Sequence, residues 1–395
     1  MAKKNQTVAN RCSNKPRFQI LSILFILTAF FCSCSGVIFD DIREEVELED
    51  AQISGDVNSI VRFGDYIFLQ NGNIWKKKAD SESAHGWTQV SKPSASADYT
   101  YVNRLAADSK YLYAQMTILN ENSDDGEIQT KGSQLFYSED GENWKGPIKF
   151  TNPDDKEIDT IDSGYGLLFC TNAVQKNNRK AYFHIQFGSS TYKWYELNGE
   201  TPSSTTVTSD ENSPENPTTT DYYAAHSCAY FNGNVYFWKN ALATNETADA
   251  EATILYRANG SKVAWTTDGE NWTEQDTSSG TIYSLSCTKN YLYLGTSKGI
   301  EHVEFNTTKS NDGKDVPDGT LNGKTTSDFG NNAKSTLSSY YEVRVVLAMK
   351  ADAAESDSVI YGTTTFSGSP SSTSATQENV GLWSYIPSRG KWNRE

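Results

Sequence analysis

The densest chemistry in this chain sits in a string that occurs twice, Asp140-Gly141-Glu142-Asn143-Trp144 and Asp268-Gly269-Glu270-Asn271-Trp272. Two carboxylates beside a glycine could begin a calcium site. Calcium, however, takes about six to eight oxygens, and each string falls well short of that. The aspartates suit a different task, accepting hydrogen bonds from the backbone N–H groups of a tight turn, with Gly141 and Gly269 adopting a positive φ. Ser138 and Thr266 stand two places before them. Trp144 and Trp272 stand four places after, where an indole can anchor the turn in an apolar core. Other reactive types are sparse. His85, His184, His226 and His302 are the only histidines, and none lies at metal-ligand spacing from another. The run Asn122-Ser123-Asp124-Asp125-Gly126 lacks the remaining ligands of an EF-hand loop. No Gly-x-Ser-x-Gly elbow, phosphate-binding glycine loop or Cys-x-x-Cys pair is present. The expectation is no metal, no cofactor and no demand for catalysis.

A repeated turn needs repeated elements to carry it, so the chain should be built from copies of one supersecondary unit. A compact aromatic strand recurs at Tyr66, Tyr111, Leu167, Val235, Tyr291 and Val359. A second apolar stripe follows near Ile74-Trp75, Leu135-Phe136, Tyr182-Phe183, Val263–Trp265, Ile300–Val303 and Leu382-Trp383. A tryptophan then opens a polar strand at Trp87, Trp144, Trp194, Trp272 and Trp392, with one copy missing between the last two. With 22 Tyr, 17 Phe and 9 Trp among short alternating runs, the chain reads as all-β. Six four-stranded sheets with little core of their own are stable only by stacking around an axis, which predicts a six-bladed β-propeller over residues 57–395. Seven blades remain open if the stretch 306–337 hides another. That stretch, 198–221 and 367–379 are polar and are expected as disordered loop insertions.

The first residues are set apart from this body. Lys3, Lys4, Arg11, Lys15 and Arg17 form a basic region, and an apolar run from Phe18 to Phe31 follows it. That run is shorter than a membrane span of about 20 residues and ends at Ser33-Cys34-Ser35-Gly36. The pattern resembles the cleavage point of bacterial lipoproteins, with Phe31 where that family usually has Leu. The resemblance implies a signal peptide over 1–33 and an acylated Cys34 as the N-terminus of the mature chain. Residues 34–56, rich in Asp and Glu between Asp40 and Asp50, read as a solvated tether. The net charge of the whole chain is −15. Five of the 35 basic residues but none of the 50 acidic ones precede Cys34, which leaves −20 after cleavage. Such a surface disfavours nucleic acid as a partner. Cys170, Cys228 and Cys287 remain in the body, with a Cys228–Cys287 bridge and buried thiols both open.

The strings "SEDGENW" and "TTDGENW" resemble the Asp-box, or BNR, repeat of sialidase-like propellers. The resemblance implies a structural turn at Ser138, Asp140, Gly141 and Trp144, and at Thr266, Asp268, Gly269 and Trp272. Enzymes of that family hold a substrate carboxylate with three arginines and use a Tyr/Glu nucleophile pair. The closest fragment here is Tyr340-Tyr341-Glu342-Val343-Arg344, so Tyr341, Glu342, Arg344 and Arg104 are the catalytic candidates were the chain a glycosidase. Arg62 lies three positions out of register with Arg104, which spoils the set. The expectation is a lipid-anchored envelope propeller of the outer membrane, on its surface or periplasmic face, that binds a protein or a glycan without catalysis. A sialidase-like hydrolase and a periplasmic assembly subunit are the alternatives.

Overall fold

The computed structural model describes residues 50–95, 99–121, 128–162, 166–170, 180–187, 191–207, 229–231, 234–242, 251–267, 271–326, 341–366 and 380–395. Antiparallel strands dominate, and the helical content of these residues is a single 3-10 turn at Glu355–Asp357. The strands form six meanders that follow one another along the chain, together with a two-stranded ribbon of Phe150–Thr151 and Glu157–Ile158.

The first sheet runs Ile60–Phe63, Tyr66–Gln70, Ile74–Lys78, Thr88–Val90. The second runs Tyr99–Ala107, Leu112–Glu121, Ile128–Ser138, and the last of these pairs with both Trp144–Lys145 and Ile161–Asp162. The third takes Gly166–Cys170, Ala181–Phe187, Thr191–Glu196 and Ser203–Val207. The fourth has five strands, Ala229–Phe231, Asn234–Leu242, Glu251–Asn259, Lys262–Thr266 and Thr273–Asp276. The fifth takes Ile282–Cys287, Tyr291–Thr296, Gly299–Lys309 and Asp315–Leu321, and the sixth Tyr341–Ala348, Ile360–Phe366, Gly381–Ile386 and Lys391–Arg394.

Three sequence expectations are revised. Trp87, Trp144, Trp272 and Trp392 do mark the last strand of their sheets, but Trp194 lies inside a third strand, because Ile161–Asp162 pairs with Gly132 and Ser133 of the second sheet. The third sheet therefore begins one strand late, at Gly166–Cys170. Val263 to Trp265 fall in a fourth strand of a five-stranded sheet, not in a third. Two of the stretches expected as loop insertions contain edge strands, Ser203–Val207 and Asp315–Leu321. Residues 208–221, 327–337 and 367–379 lie outside the described residues.

The opening strands of neighbouring sheets lie against one another, Tyr99–Ala107 against Ile60–Phe63 and Gly166–Cys170, and Ile282–Cys287 against Tyr341–Ala348. Short polar side chains stitch them together. Val346 and Ala348 donate backbone N–H groups to Ser284 Oγ and Ser286 Oγ at 2.9 and 2.8 Å, and Leu105 donates to Ser59 Oγ at 2.7 Å. Leu, Ile, Tyr and Phe side chains fill the space between sheets, which removes from water the apolar faces that a lone four-stranded sheet would leave exposed. Cys170 and Cys287 are buried within this packing, and Cys228 lies outside the described residues.

The first and sixth sheets share a core. Ile53, Ile60, Ile67 and Trp87 pack with Leu347, Met349, Tyr361 and Leu382. Ile53 donates its N–H to the carbonyl of Glu395 at 2.9 Å, although residues 50–53 form no strand. The Glu395 side chain, 0 % exposed, enters the first sheet, where it accepts from Lys77 Nζ at 2.8 Å, His85 N at 3.0 Å and Trp87 Nε1 at 2.8 Å.

Candidate functional site

The first copy of the repeated string forms a tight turn after the strand Ile128–Ser138. Asp140 Oδ1 accepts from the N–H groups of Glu142 and Asn143 at 2.9 and 2.7 Å, and Oδ2 accepts from Asn143 Nδ2 at 2.6 Å. These donors favour the ionised form and hold the Asp140 carboxyl far below the ordinary aspartate range, with the Asn143 N–H contributing most. Ser138 Oγ, completely buried, receives the Gly141 N–H at 2.9 Å. Gly141 has φ of 77°, and a Cβ placed there would stand 2.6 Å from Phe68 Cζ of the first sheet. Across the same seam Lys76 pairs with Glu142, and Trp144 Nε1 donates to the Ser91 carbonyl at 2.8 Å. The turn thus clasps the second sheet to the first. The Asp140 carboxylate is engaged by backbone and side-chain donors of the turn itself.

Of the second copy, Asp268 and Gly269 lie outside the described residues. Thr266 is buried at the end of its strand, and Trp272 is half-buried with the Arg257 guanidinium 4.4 Å from its ring centroid. Cys34 also lies outside the described residues.

A second site lies on the opening strands. Three of them carry a β-bulge, between Val102 and Arg104, between Ile282 and Ser284, and between Val343 and Val346. A bulge inserts an extra residue into one strand and re-aims its side chain. Two of these bulges bring Tyr283 and Arg344 together, with the guanidinium 5.0 Å from the ring centroid. Arg344 Nη2 donates to Glu342 Oε2 at 2.6 Å. The Tyr283 hydroxyl, raised above its ordinary value by burial and by the Glu342 carboxylate, completes a three-membered cluster.

Beside it opens a cavity of about 170 Å³, lined by Asp56, Val57, Asn58, Arg344, Thr363, Thr364, Thr365 and Phe366. Thr363 Oγ1 accepts the Val345 N–H, and Thr364 Oγ1 bridges both backbone groups of Gly381. Those hydroxyls hold the sheet. The side chains of Asp56, Asn58 and Thr365 have no hydrogen-bond partner among the described residues, and Arg344 spends one nitrogen on Glu342.

Of the residues considered for a glycosidase, Glu342 and Arg344 meet here. Tyr341 is 1 % exposed and stacked on Phe366, with ring centroids 6.1 Å apart. Tyr340 lies outside the described residues. Arg62 donates to the Gly64 carbonyl at 3.4 Å and lines a separate, smaller cavity with Asp80 and Glu82. Burial lowers the Arg104 guanidinium from its ordinary value, and no ion pair among the described residues links it to Glu342. Among the described residues no three His, Cys, Asp or Glu side chains cluster as metal ligands do.

Sequence reasoning missed Tyr283, Asp56, Asn58 and Thr365. They come from three separate stretches, and nothing in the local pattern of any one of them announces the bulge or the cavity.

A family model described as the TP013X lipoprotein family matches residues 17–118, a stretch that takes in the apolar leader, Cys34 and the first sheet. No curated protein matches the chain. Among solved structures, the C-terminal domain of gp131 from bacteriophage phiKZ is similar at 10% identity over 79% of each chain, with a TM-score of 0.32. The SapL1 lectin in complex with alpha methyl fucoside is similar at 11% identity over 81% of this chain and 99% of that one, with a TM-score of 0.31. A glycosyl hydrolase from Bacteroides ovatus is similar at 9% identity over 74% and 85%, with a TM-score of 0.29.

Proposed function

We propose that this chain is a lipid-anchored, six-bladed β-propeller of the bacterial envelope that binds a protein or glycan ligand and performs no chemistry of its own. The observation that carries the reading is the first–sixth sheet junction. A Lys77–Glu395 pair and a shared core join the start of the array to its end, as a closed ring requires. The turn Ser138 to Trp144 acts in it as an Asp-box that clasps adjacent blades. Binding without catalysis accords with the buried, stacked Tyr341 and with a Glu342 already committed to Arg344 and Tyr283. Acylation of Cys34 accords with the lipoprotein family match across that residue. Several acyl chains at about 0.8 kcal/mol per buried CH2 would hold the domain at the outer membrane.

Protease treatment of intact cells, followed by immunoblot against a periplasmic control, tests the orientation. Loss of the band with the control intact assigns the propeller to the outer surface. Survival until the envelope is permeabilised assigns it to the periplasmic face, where crosslinking to neighbouring proteins identifies the partner. Recovery of the protein in the soluble fraction of lysed cells would remove the anchored reading.

A further inference from the structure

Four polar residues line the cavity at the entrance to the first and sixth sheets. Asp56 and Asn58 lead into the strand Ile60–Phe63, Arg344 sits in the bulge of Tyr341–Ala348, and Thr365 lies near the end of Ile360–Phe366. Only Arg344 has a hydrogen-bond partner among the described residues, Glu342. Each could have faced bulk water from an unbulged strand or an open loop. Instead they share one concave wall with a half-buried Phe366, whose ring is backed by Tyr341. A small cavity with convergent polar groups beside an aromatic edge is what a small-molecule site requires.

Charge and size define the occupant. Asp56 lines the cavity and Glu342 is paired with Arg344, so the site holds two carboxylates and one guanidinium. An anionic ligand would meet that excess and the field of a strongly acidic chain. A cation would meet Arg344. A neutral ligand rich in hydroxyls suits all four groups, because a hydroxyl donates to Asp56 and accepts from Arg344, while Asn58 and Thr365 do both. At about 170 Å³ the space is below that of pockets for drug-sized ligands, roughly 300–1,000 Å³, and fits one ring. Arg344 is stacked on Tyr283 and tied to Glu342, so its fork is oriented before the ligand arrives and less entropy is lost on binding.

We infer that this cavity binds a neutral, hydroxyl-rich sugar ring of hexose size, either free or as the terminal residue of a glycan. The inference rests on the reading of the chain as a binding module and specifies one ligand class for it. It also separates this site from one built to seize a carboxylate, since the arginine here already has its counter-ion.

Calorimetry and saturation-transfer NMR on the full chain in detergent test it. The probes are glucose, galactose, mannose and N-acetylglucosamine, their methyl glycosides in both anomeric forms, and glucuronate and sialic acid. The expected result is saturable, millimolar binding of at least one neutral sugar. Asn58→Ala and Thr365→Val should each weaken it about tenfold, the loss of one hydrogen bond, with the melting temperature unchanged. Equal binding of a free sugar and its methyl glycoside would identify a glycan terminus as the source, and binding of the reducing sugar alone would identify the free monosaccharide. Preference for glucuronate or sialic acid, binding untouched by both variants, or no binding of any neutral sugar would overturn the inference. The module reading fails separately, when crosslinking on cells recovers no partner and no sugar of either charge binds.

Discussion

Lys77 and Glu395, 318 residues apart, meet as a fully buried ion pair in which the ammonium reaches both carboxylate oxygens, at 2.8 and 2.9 Å. The rest of the carboxylate is satisfied by His85 N and Trp87 Nε1, and the ammonium lies 5.3 Å from the Trp87 ring centroid. Burial lowers the Lys77 ammonium from its ordinary value, and Glu395 opposes that shift. Removing one partner leaves the other charged and dry. Glu395→Ala should therefore cost about 3–5 kcal/mol in denaturant unfolding, and Lys77→Met with Glu395→Leu together should recover most of it. Equal stability of Glu395→Ala and wild type would show that the first and sixth sheets do not depend on this pair.

Gly141 is fixed by two independent demands, a φ of 77° and a Phe68 ring in the space where a Cβ would go. Gly141→Ala should lose roughly 2–4 kcal/mol, part from backbone strain and part from the clash. Phe68→Leu in the same chain should relieve only the steric share. A double-mutant cycle measured by thermal melts reads the coupling, and strict additivity would place Phe68 out of reach of the turn.

Asp140 ties acid sensitivity to the same turn. Its folded-state carboxyl titrates well below the ordinary 3.8, so its stabilising contribution is complete above that value and is lost as pH falls toward the folded one. Asp140→Asn keeps the shape and removes the titration. The variant should be less stable than wild type at neutral pH by about 1 kcal/mol and approach it as the solution becomes acidic. A constant gap between the two at all pH values would contradict the assigned hydrogen bonds.

His184 on the strand Ala181–Phe187 gives a second window at higher pH. Burial pushes its imidazole down to about 4 from 6.5. The unfolded chain therefore binds the extra proton first, and stability is complete above 6.5 and declines as pH drops toward 4. The decline attributable to this group is at most about 3 kcal/mol. His184→Gln should flatten the profile between those two values, as read by melting temperature across a buffer series, and an unchanged slope would assign the decline to other groups.

Acylation at Cys34 predicts that metabolic labelling with a fatty-acid analogue marks the wild-type chain and not Cys34→Ser. Cys32→Ser should label normally. The opposite pattern would move the modified residue two positions toward the N-terminus.

The sequence made the sheets legible wherever a large ring had to be buried. Tyr66, Tyr111, Tyr291 and Val359 each mark the second strand of a sheet, because aromatic and β-branched side chains at alternate positions fit a pleated, buried surface. The edges were harder to read. Ser203–Val207 has four hydroxyl residues and Asp315–Leu321 contains Pro317 and Gly319, both of which argue against a central strand but are tolerated at an edge, where one side needs no partner. The Ser138 to Trp144 turn was readable because the hydrogen bonds that shape it, from Asp140 and Ser138 to the next few residues, are local. The cavity was not, because its position depends on bulges at Tyr283 and Arg344, and a bulge is a property of two strands in register that neither strand shows alone. Arg62, Arg104 and Arg344 looked comparable as letters. In three dimensions Arg62 bonds to a nearby carbonyl, Arg104 is half-buried, and Arg344 pairs with Glu342 beside a cavity.

The seal at Glu395 also dictates an order of events. A growing chain can fold its early sheets as each hairpin emerges, since their contacts are local. The side of the first sheet that packs on Leu347, Tyr361 and Leu382 has no partner until the sixth sheet exists, and Lys77 has no counter-charge until residue 395 is available. Every nascent or truncated chain therefore carries an uncovered apolar flank with a buried-type lysine beside it. For this protein, cover of the first sheet's flank and neutralisation of its buried lysine arrive together with the sixth sheet, through a single carboxylate.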